Sequence, residues 1–284
     1  MNSIQKNRWK DQAFKVWGIL CTLFGLVILT IFIGDILIDG IRRINWDFIT
    51  NLPSRKAEKS GIFTALMGSI WILLLTTIIS FPIGVAAGIY LEEYSKKNRL
   101  SGLLEINISN LAGVPSIIYG LLGLEVFVRI MGLGASILAG SLTLSLLILP
   151  IIIVATREAI KAVPSSIKDA SYALGASKWQ TIWHQILPAS GGGILTGVIL
   201  ALSRAVGETA PLIVVGALAY VPFAPSNPMD EFSVLPIQIF NWISRPQPGF
   251  IENAAAAIII LLGITFIMNG IAVYFRNKWQ KKWK

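Results

Sequence analysis

The sequence is poor in the residues from which soluble enzymes build their chemistry. It has one cysteine, one histidine and 15 acidic residues in 284. Charged side chains make up only 14% of it, against about 25% in soluble domains. The lone Cys21 lies inside an apolar run, which excludes a disulfide framework and a cysteine-ligated metal site. His184 has no second histidine and no nearby cysteine, so it is a poor metal ligand, and a structural or interfacial role is expected for it. No Gly-x-x-x-x-Gly-Lys-Ser/Thr loop occurs, so no nucleotide-hydrolysing site is expected in this chain. The net charge of +9 does not signal nucleic acid, because the basic residues sit at the edges of apolar runs and not in a patch interleaved with aromatics.

What is plentiful is apolar surface: 54% of the residues are hydrophobic. A helix crosses the hydrocarbon core in about 20 apolar residues, because each residue rises about 1.5 Å and every backbone polar group must be satisfied internally. Six stretches qualify, at Val16–Ile38, Phe63–Leu91, Leu103–Ile130, Leu133–Ala155, Gly191–Tyr220 and Ala254–Phe275. The basic flank before the first resembles a secretory signal, but the run is too long and no small-residue cleavage site follows, so it is expected to be a retained span. Pro82, Gly113, Pro115, Pro150 and Pro211 predict kinks within the spans. The expected fold is an all-α membrane protein of six transmembrane helices. With that count, 16 of the Lys and Arg residues fall on one side and 7 on the other, Arg204 being inside a span. Both termini are therefore expected in the cytoplasm. The organisation read from this is a first span and external segment over 1–60, a core over 61–275, and a basic tail over 276–284.

Two connecting segments are longer than a bundle needs. Residues 156–190 carry an apolar stripe at Val163, Ile167, Ala170 and Leu174, and a second at Trp179, Ile182, Trp183 and Ile186. This predicts two short amphipathic helices meeting at Gly175. They suit either the membrane surface, with Lys161, Lys168 and Lys178 toward lipid, or docking into the groove of a soluble partner. The stretch from Val221 to Asn253 holds six of the 13 prolines, which excludes a long helix. A short helix over Leu235–Ile243, with Ile239, Trp242 and Ile243 on its apolar side, would make it either an ordered loop or an external cap.

Within the fifth span, Arg204 and Glu208 stand at i, i+4 and share one helix face. A charge in the bilayer is expensive and normally faces a bundle interior or a water-filled cavity. One reading is a structural pair. The other is an anion pathway, because a guanidinium is permanently charged and donates two parallel hydrogen bonds to an oxyanion. Ser116 and Tyr119 suit a pore lining or ordinary interhelical hydrogen bonding equally well.

Asp169-Ala170-Ser171, Gly175 and Ile186-Leu187-Pro188 resemble the EAA loop of ABC importer permeases, whose own pattern begins Glu-Ala-Ala. The segments Gly113 to Gly120, Arg204 to Pro211 and Leu235 to Trp242 are similar to signatures of the phosphate-importer permeases of the PstA type. This resemblance implies the type I importer (MetI-like) fold in the bacterial inner membrane, with no cofactor of its own and ATP acting on partner subunits. It implies a pore shared with a sister permease of the PstC type, a dimer of PstB-type ATPases inside, and a PstS-type phosphate-binding protein outside. It places Arg204, Glu208, Thr209, Ser116 and Tyr119 on the phosphate pathway. It gives ATPase coupling to Glu158, Asp169, Ala170, Leu174, Gly175, Ala176, Trp179, Leu187 and Pro188. The rival expectations are an importer of a different oxyanion or small nutrient, a sensory subunit, and an intramembrane enzyme. For the last, Glu208, Glu125 and Asp35 are the only acids of note, and they have no metal-binding spacing.

Overall fold

In the computed structural model, residues 3–95, 98–217 and 220–280 are described. Lys96 and Lys97 of the second segment expected on the cytoplasmic side, Leu218 and Ala219 of the expected fifth span, and residues 281–284 of the basic tail lie outside them. Twelve α-helices are described. They are α1 (Ser3–Gly40), α2 (Trp46–Thr50), α3 (Phe63–Ile89), α4 (Arg99–Leu111), α5 (Ser116–Gly123), α6 (Ile137–Lys161), α7 (Ser165–Ala173), α8 (Lys178–Thr181), α9 (Leu187–Val206), α10 (Ala210–Val215), α11 (Leu235–Ile243) and α12 (Pro248–Gln280). Wider π turns extend α3 through Tyr94 and α5 through Ile130, and join α8 to α9. Among the described residues, five continuous segments are long and apolar enough to cross a membrane, and the bent pair Gly102–Leu111 with Ser116–Ile130, counted as one span, brings the number to six.

Three sequence expectations need correction. The third span is not a kinked rod: its two halves meet at 99°. Pro115, with extended backbone and no N–H to donate, starts α5 afresh. The Tyr119 hydroxyl donates to the Leu111 carbonyl at 2.8 Å, a second bond there beside that from the Val114 N–H at 3.1 Å. The fifth span is broken as well, because α9 stops at Val206 and helix resumes only at Ala210, with Pro211 in its first turn. Finally, the second amphipathic helix of 156–190 is not separate from the membrane, since helix runs on from Lys178 to Val206.

The core is α3, α6 and α9 packed through small residues, as is usual where helices meet without a hydrophobic driving force between them. Gly84 and Gly88 of α3 lie against Ile152 and Thr156 of α6. Gly193 and Gly197 of α9 lie against Ala159 and Ala155, on an adjoining face of α6. Buried hydroxyls add cross-helix bonds: Thr76 Oγ1 donates to the Ser141 carbonyl at 3.3 Å, and Ser145 Oγ donates to that of Thr76 at 3.4 Å.

A second cluster sits at the far end of α3 and α12, where Phe48, Ile62, Trp242 and Phe250 are buried together. Here α11 is held by its Leu235 N–H, which donates to Ser69 Oγ at 3.0 Å. Leu235, Ile237, Gln238, Ile239 and Trp242 are buried, whereas Ile243 is exposed, contrary to expectation. Arg43 ties this end together by donating to Asn253 Oδ1 at 2.7 Å and to the carbonyls of Ala57, Glu58 and Ser60.

Candidate substrate pathway and coupling surface

The two breaks are brought to one place. Gly120 of α5 packs on Pro211 of α10 so closely that a Cβ there would stand 2.7 Å from the Pro211 Cα. Tyr119 is buried beside this contact, and Arg204 lies in the last turn of α9, just before the break that leads to α10. Ser116 is half-buried in the first turn of α5, and Thr209 is half-buried just before α10. Arg204 Nε donates to Glu208 Oε1 at 3.3 Å. The pair is unequal: the arginine side chain is 50% exposed and the glutamate 15%. A guanidinium has five N–H donors, and Nε spends only one of them on Glu208. The structure thus gathers four of the expected pathway residues, Arg204, Glu208, Thr209 and Tyr119, around the broken segments, with Ser116 one helical turn before Gly120.

The segment from Glu158 to Pro188 divides differently. Leu174, at the end of α7, is 89% exposed, and Asp169, Ala170, Gly175 and Trp179 are exposed with it. Gly175 has φ +82°, the left-handed backbone that ends a helix. A depression of about 460 Å³ opens beside it, lined by Ile167, Ala170, Leu174, Ala176, Gln180 and His184 among others. Of the second stripe, Ile182 and Ile186 turn inward onto Ile160, while Trp179 and Trp183 stack on each other, centroids 5.6 Å apart. Leu187 and Pro188 are half-buried in the continuous helix. Glu158 is exposed and paired with Lys161 at 2.9 Å.

The fold resembles a known architecture. A structure of a bacterial alginate ABC transporter in complex with an alginate-bound periplasmic protein contains a chain that superposes with a TM-score of 0.68 at 14% identity, over 97% of this chain and 96% of that one. That likeness shows the fold alone. Residues 80–281 match the family described as the binding-protein-dependent transport system inner membrane component. The chain belongs to this family. Among relatives of this permease, the probable ABC transporter permease protein YqgI of Bacillus subtilis is 32% identical, over 89% of this chain and 91% of its own. The phosphate transport system permease protein PstA of Yersinia pestis is 33% identical, over 96% and 94%.

The permease also has a charged cluster that the sequence reading missed. Arg157 of α6 is buried, with Nη2 2.7 Å from Glu105 Oε1 of α4 and Nε 3.4 Å from Glu92 Oε2 at the end of α3. The next residue, Glu93, pairs with Lys168 of α7. No spacing signals this, because each partner lies on a different helix. The weak signal available was an arginine two residues past the end of one apolar run, with Glu92 directly past the end of another.

Proposed function

We propose that this permease is the PstA-type subunit of an ATP-driven phosphate importer, shares its pathway with a PstC-type sister permease, and passes phosphate by Arg204. The carrying observation is a half-exposed guanidinium set where two helices break inside an apolar bundle. An exposed cation there meets either hydrocarbon, at high cost, or a polar route completed by a second subunit. A phosphate oxygen pair matches the arginine fork, and the Glu208 carboxylate competes for the same donors, so the anion is held only briefly. The names of relatives such as PstA support phosphate as the substrate.

In this reading both termini and the α7–α8 turn face the cytoplasm, while α2 and α11 lie outside, toward a PstS-type binding protein. The exposed Leu174 and Trp179 beside Gly175 dock into a PstB-type ATPase dimer, which hydrolyses the ATP. Docking is favoured over a membrane-surface role because Lys168, one of the cations that would suit lipid headgroups, is engaged by the buried Glu93 carboxylate. ATP-driven closure of the ATPases then moves α7 and the helix from Lys178 to Val206, and the break at Gly207 alternates in exposure.

The test is uptake by vesicles holding the full complex, offered labelled phosphate, sulfate or molybdate. Phosphate uptake that disappears in Arg204→Gln, with the ATPase still bound, is the expected result. Normal phosphate uptake by that variant removes Arg204 from the pathway. Uptake of sulfate or molybdate in place of phosphate reassigns the substrate.

A further inference from the structure

The attachment of α7 to the rest of the molecule is narrow. Asp169, Ala170, Tyr172, Ala173 and Leu174 are exposed, Val163 before the helix is buried, and Ile167 is half-buried. Two polar contacts hold it inward: Ser171 Oγ with Thr181 Oγ1 at 2.9 Å, and Lys168 Nζ with Glu93 Oε1. The Glu93 side chain is only 6% exposed. A carboxylate this deep needs its counter-charge, because breaking a buried pair leaves one charge desolvated and uncompensated. When α7 shifts, the end of α3 must follow, or Glu93 is stranded.

Glu92, adjacent to it in the π turn, faces another way and meets Arg157. Arg157 joins α3 to α6 and, through Glu105, to α4. Thr156 is locked beside it, since a Cβ on Gly88 would come within 2.7 Å of the threonine side chain. From Glu105, α4 runs to Leu111, whose carbonyl takes the Tyr119 hydroxyl, and Tyr119 adjoins Gly120, which packs on Pro211 just beyond the Arg204–Glu208 pair.

We infer that the Glu93–Lys168 pair and Arg157 form the linkage by which movement of α7 reaches α3, α4 and α6 and, through Tyr119, the Arg204 region. Glu93, Lys168 and Arg157 are then positioning residues that touch neither ATP nor the transported anion. The transport half of this inference rests on the function proposed above; the mechanical half does not. A chain of contacts becomes a coupling only when a cycle of substitutions measures it.

The experiment uses the full complex in vesicles, with Glu93→Gln, Lys168→Met, Lys168→Arg and the swapped pair Glu93→Lys with Lys168→Glu. One readout is phosphate taken up per ATP hydrolysed. The second is the mobility of a spin label on α7 at Tyr172→Cys, after replacing the exposed Cys21 by serine. Both neutralising variants are expected to lower the uptake ratio by about 3- to 30-fold, the usual range of such coupling, and to mobilise the label. Lys168→Arg and the swapped pair should return both readouts toward the parent. The linkage is overturned if the label is equally immobile in both neutralising variants, or if Lys168→Arg is as uncoupled as Lys168→Met. If the parent complex hydrolyses ATP yet moves no phosphate, the substrate reading falls, and the label readout still decides the linkage.

Discussion

Gly120 and Pro211 touch backbone to backbone: an added Cβ at Gly120 would stand 2.7 Å from the Pro211 Cα and 3.0 Å from its carbonyl oxygen. Neither atom belongs to a flexible side chain that could swing away, so Gly120→Ala must push α5 from α10. Overpacking of this kind costs about 1–3 kcal/mol. The variant is expected to melt earlier in detergent and to lose uptake, since the displaced element carries Tyr119. Gly18→Ala in α1, where nothing lies within 4 Å, is the control and should leave both measurements unchanged. Equal behaviour of the two variants would show that the contact is not tight.

Charge and shape at Arg204 are separable. Lys keeps the charge of the guanidinium but not its fork, so Arg204→Lys is expected to retain roughly a tenth of the uptake rate, as losing ~1.4 kcal/mol of bidentate contact implies. Glu208→Gln removes the competitor at 3.3 Å. Half-saturating phosphate should then fall together with the maximal rate, because the anion is released more slowly. Initial-rate uptake against phosphate concentration checks both. A Glu208→Gln variant with unaltered kinetics would reduce the carboxylate to a structural partner.

The spans were legible because length and hydropathy are local properties, and so was the Arg204–Glu208 pair, although α9 ends at Val206 and the glutamate stands beyond the helix face that predicted it. The breaks were not. Gly and Pro are common in membrane helices that stay continuous, and what marks this break is the turn after Leu111, whose carbonyl takes both the Val114 N–H and the Tyr119 hydroxyl. The run of helix through Pro188 was hidden for the converse reason: the π turn before it adjusts the ladder at a residue with no N–H to give. The exposed face of residues 156–190 was half legible. Both stripes exist, but which residues turn inward depends on Ile160, and that contact has no sequence signature.

Leu174 separates docking from stability. A leucine 89% exposed contributes almost nothing to the fold of this chain, so Leu174→Ala should leave its melting temperature unaltered. If it seats in an ATPase cleft, the same change is expected to weaken ATPase binding by about tenfold, a loss above 1 kcal/mol being the mark of a central anchor. Gly175→Ala acts differently, because φ +82° costs an L-residue about 1–2 kcal/mol. It should reorient α7 relative to α8 and weaken binding as well. Pull-down of the ATPase by the tagged permease measures both, and undiminished capture by both variants would return α7 to the membrane surface.

The loop before α11 supplies the pH prediction. Asp230 Oδ2 accepts the N–H groups of Ser226 and Asn227, each at 2.9 Å, and these backbone bonds hold its carboxyl below the usual carboxylate range. The same loop serves α6, for the Asp230 and Pro228 carbonyls accept the otherwise unpaired N–H groups of Ile137 and Leu138 at 3.1 and 2.8 Å. A carboxyl depressed on folding stabilises the loop fully above its unfolded value, about 3.9. That contribution is lost as pH falls through the lower folded value. Amide exchange over Ser226–Asp230, corrected for its intrinsic pH dependence, is therefore expected to be flat from pH 7 to about 4 and to quicken only below. Asp230→Asn, which cannot ionise, should exchange faster already at pH 7 and show no acid step. Loss of wild-type protection between pH 7 and 5 would mean that a different group controls the start of α6.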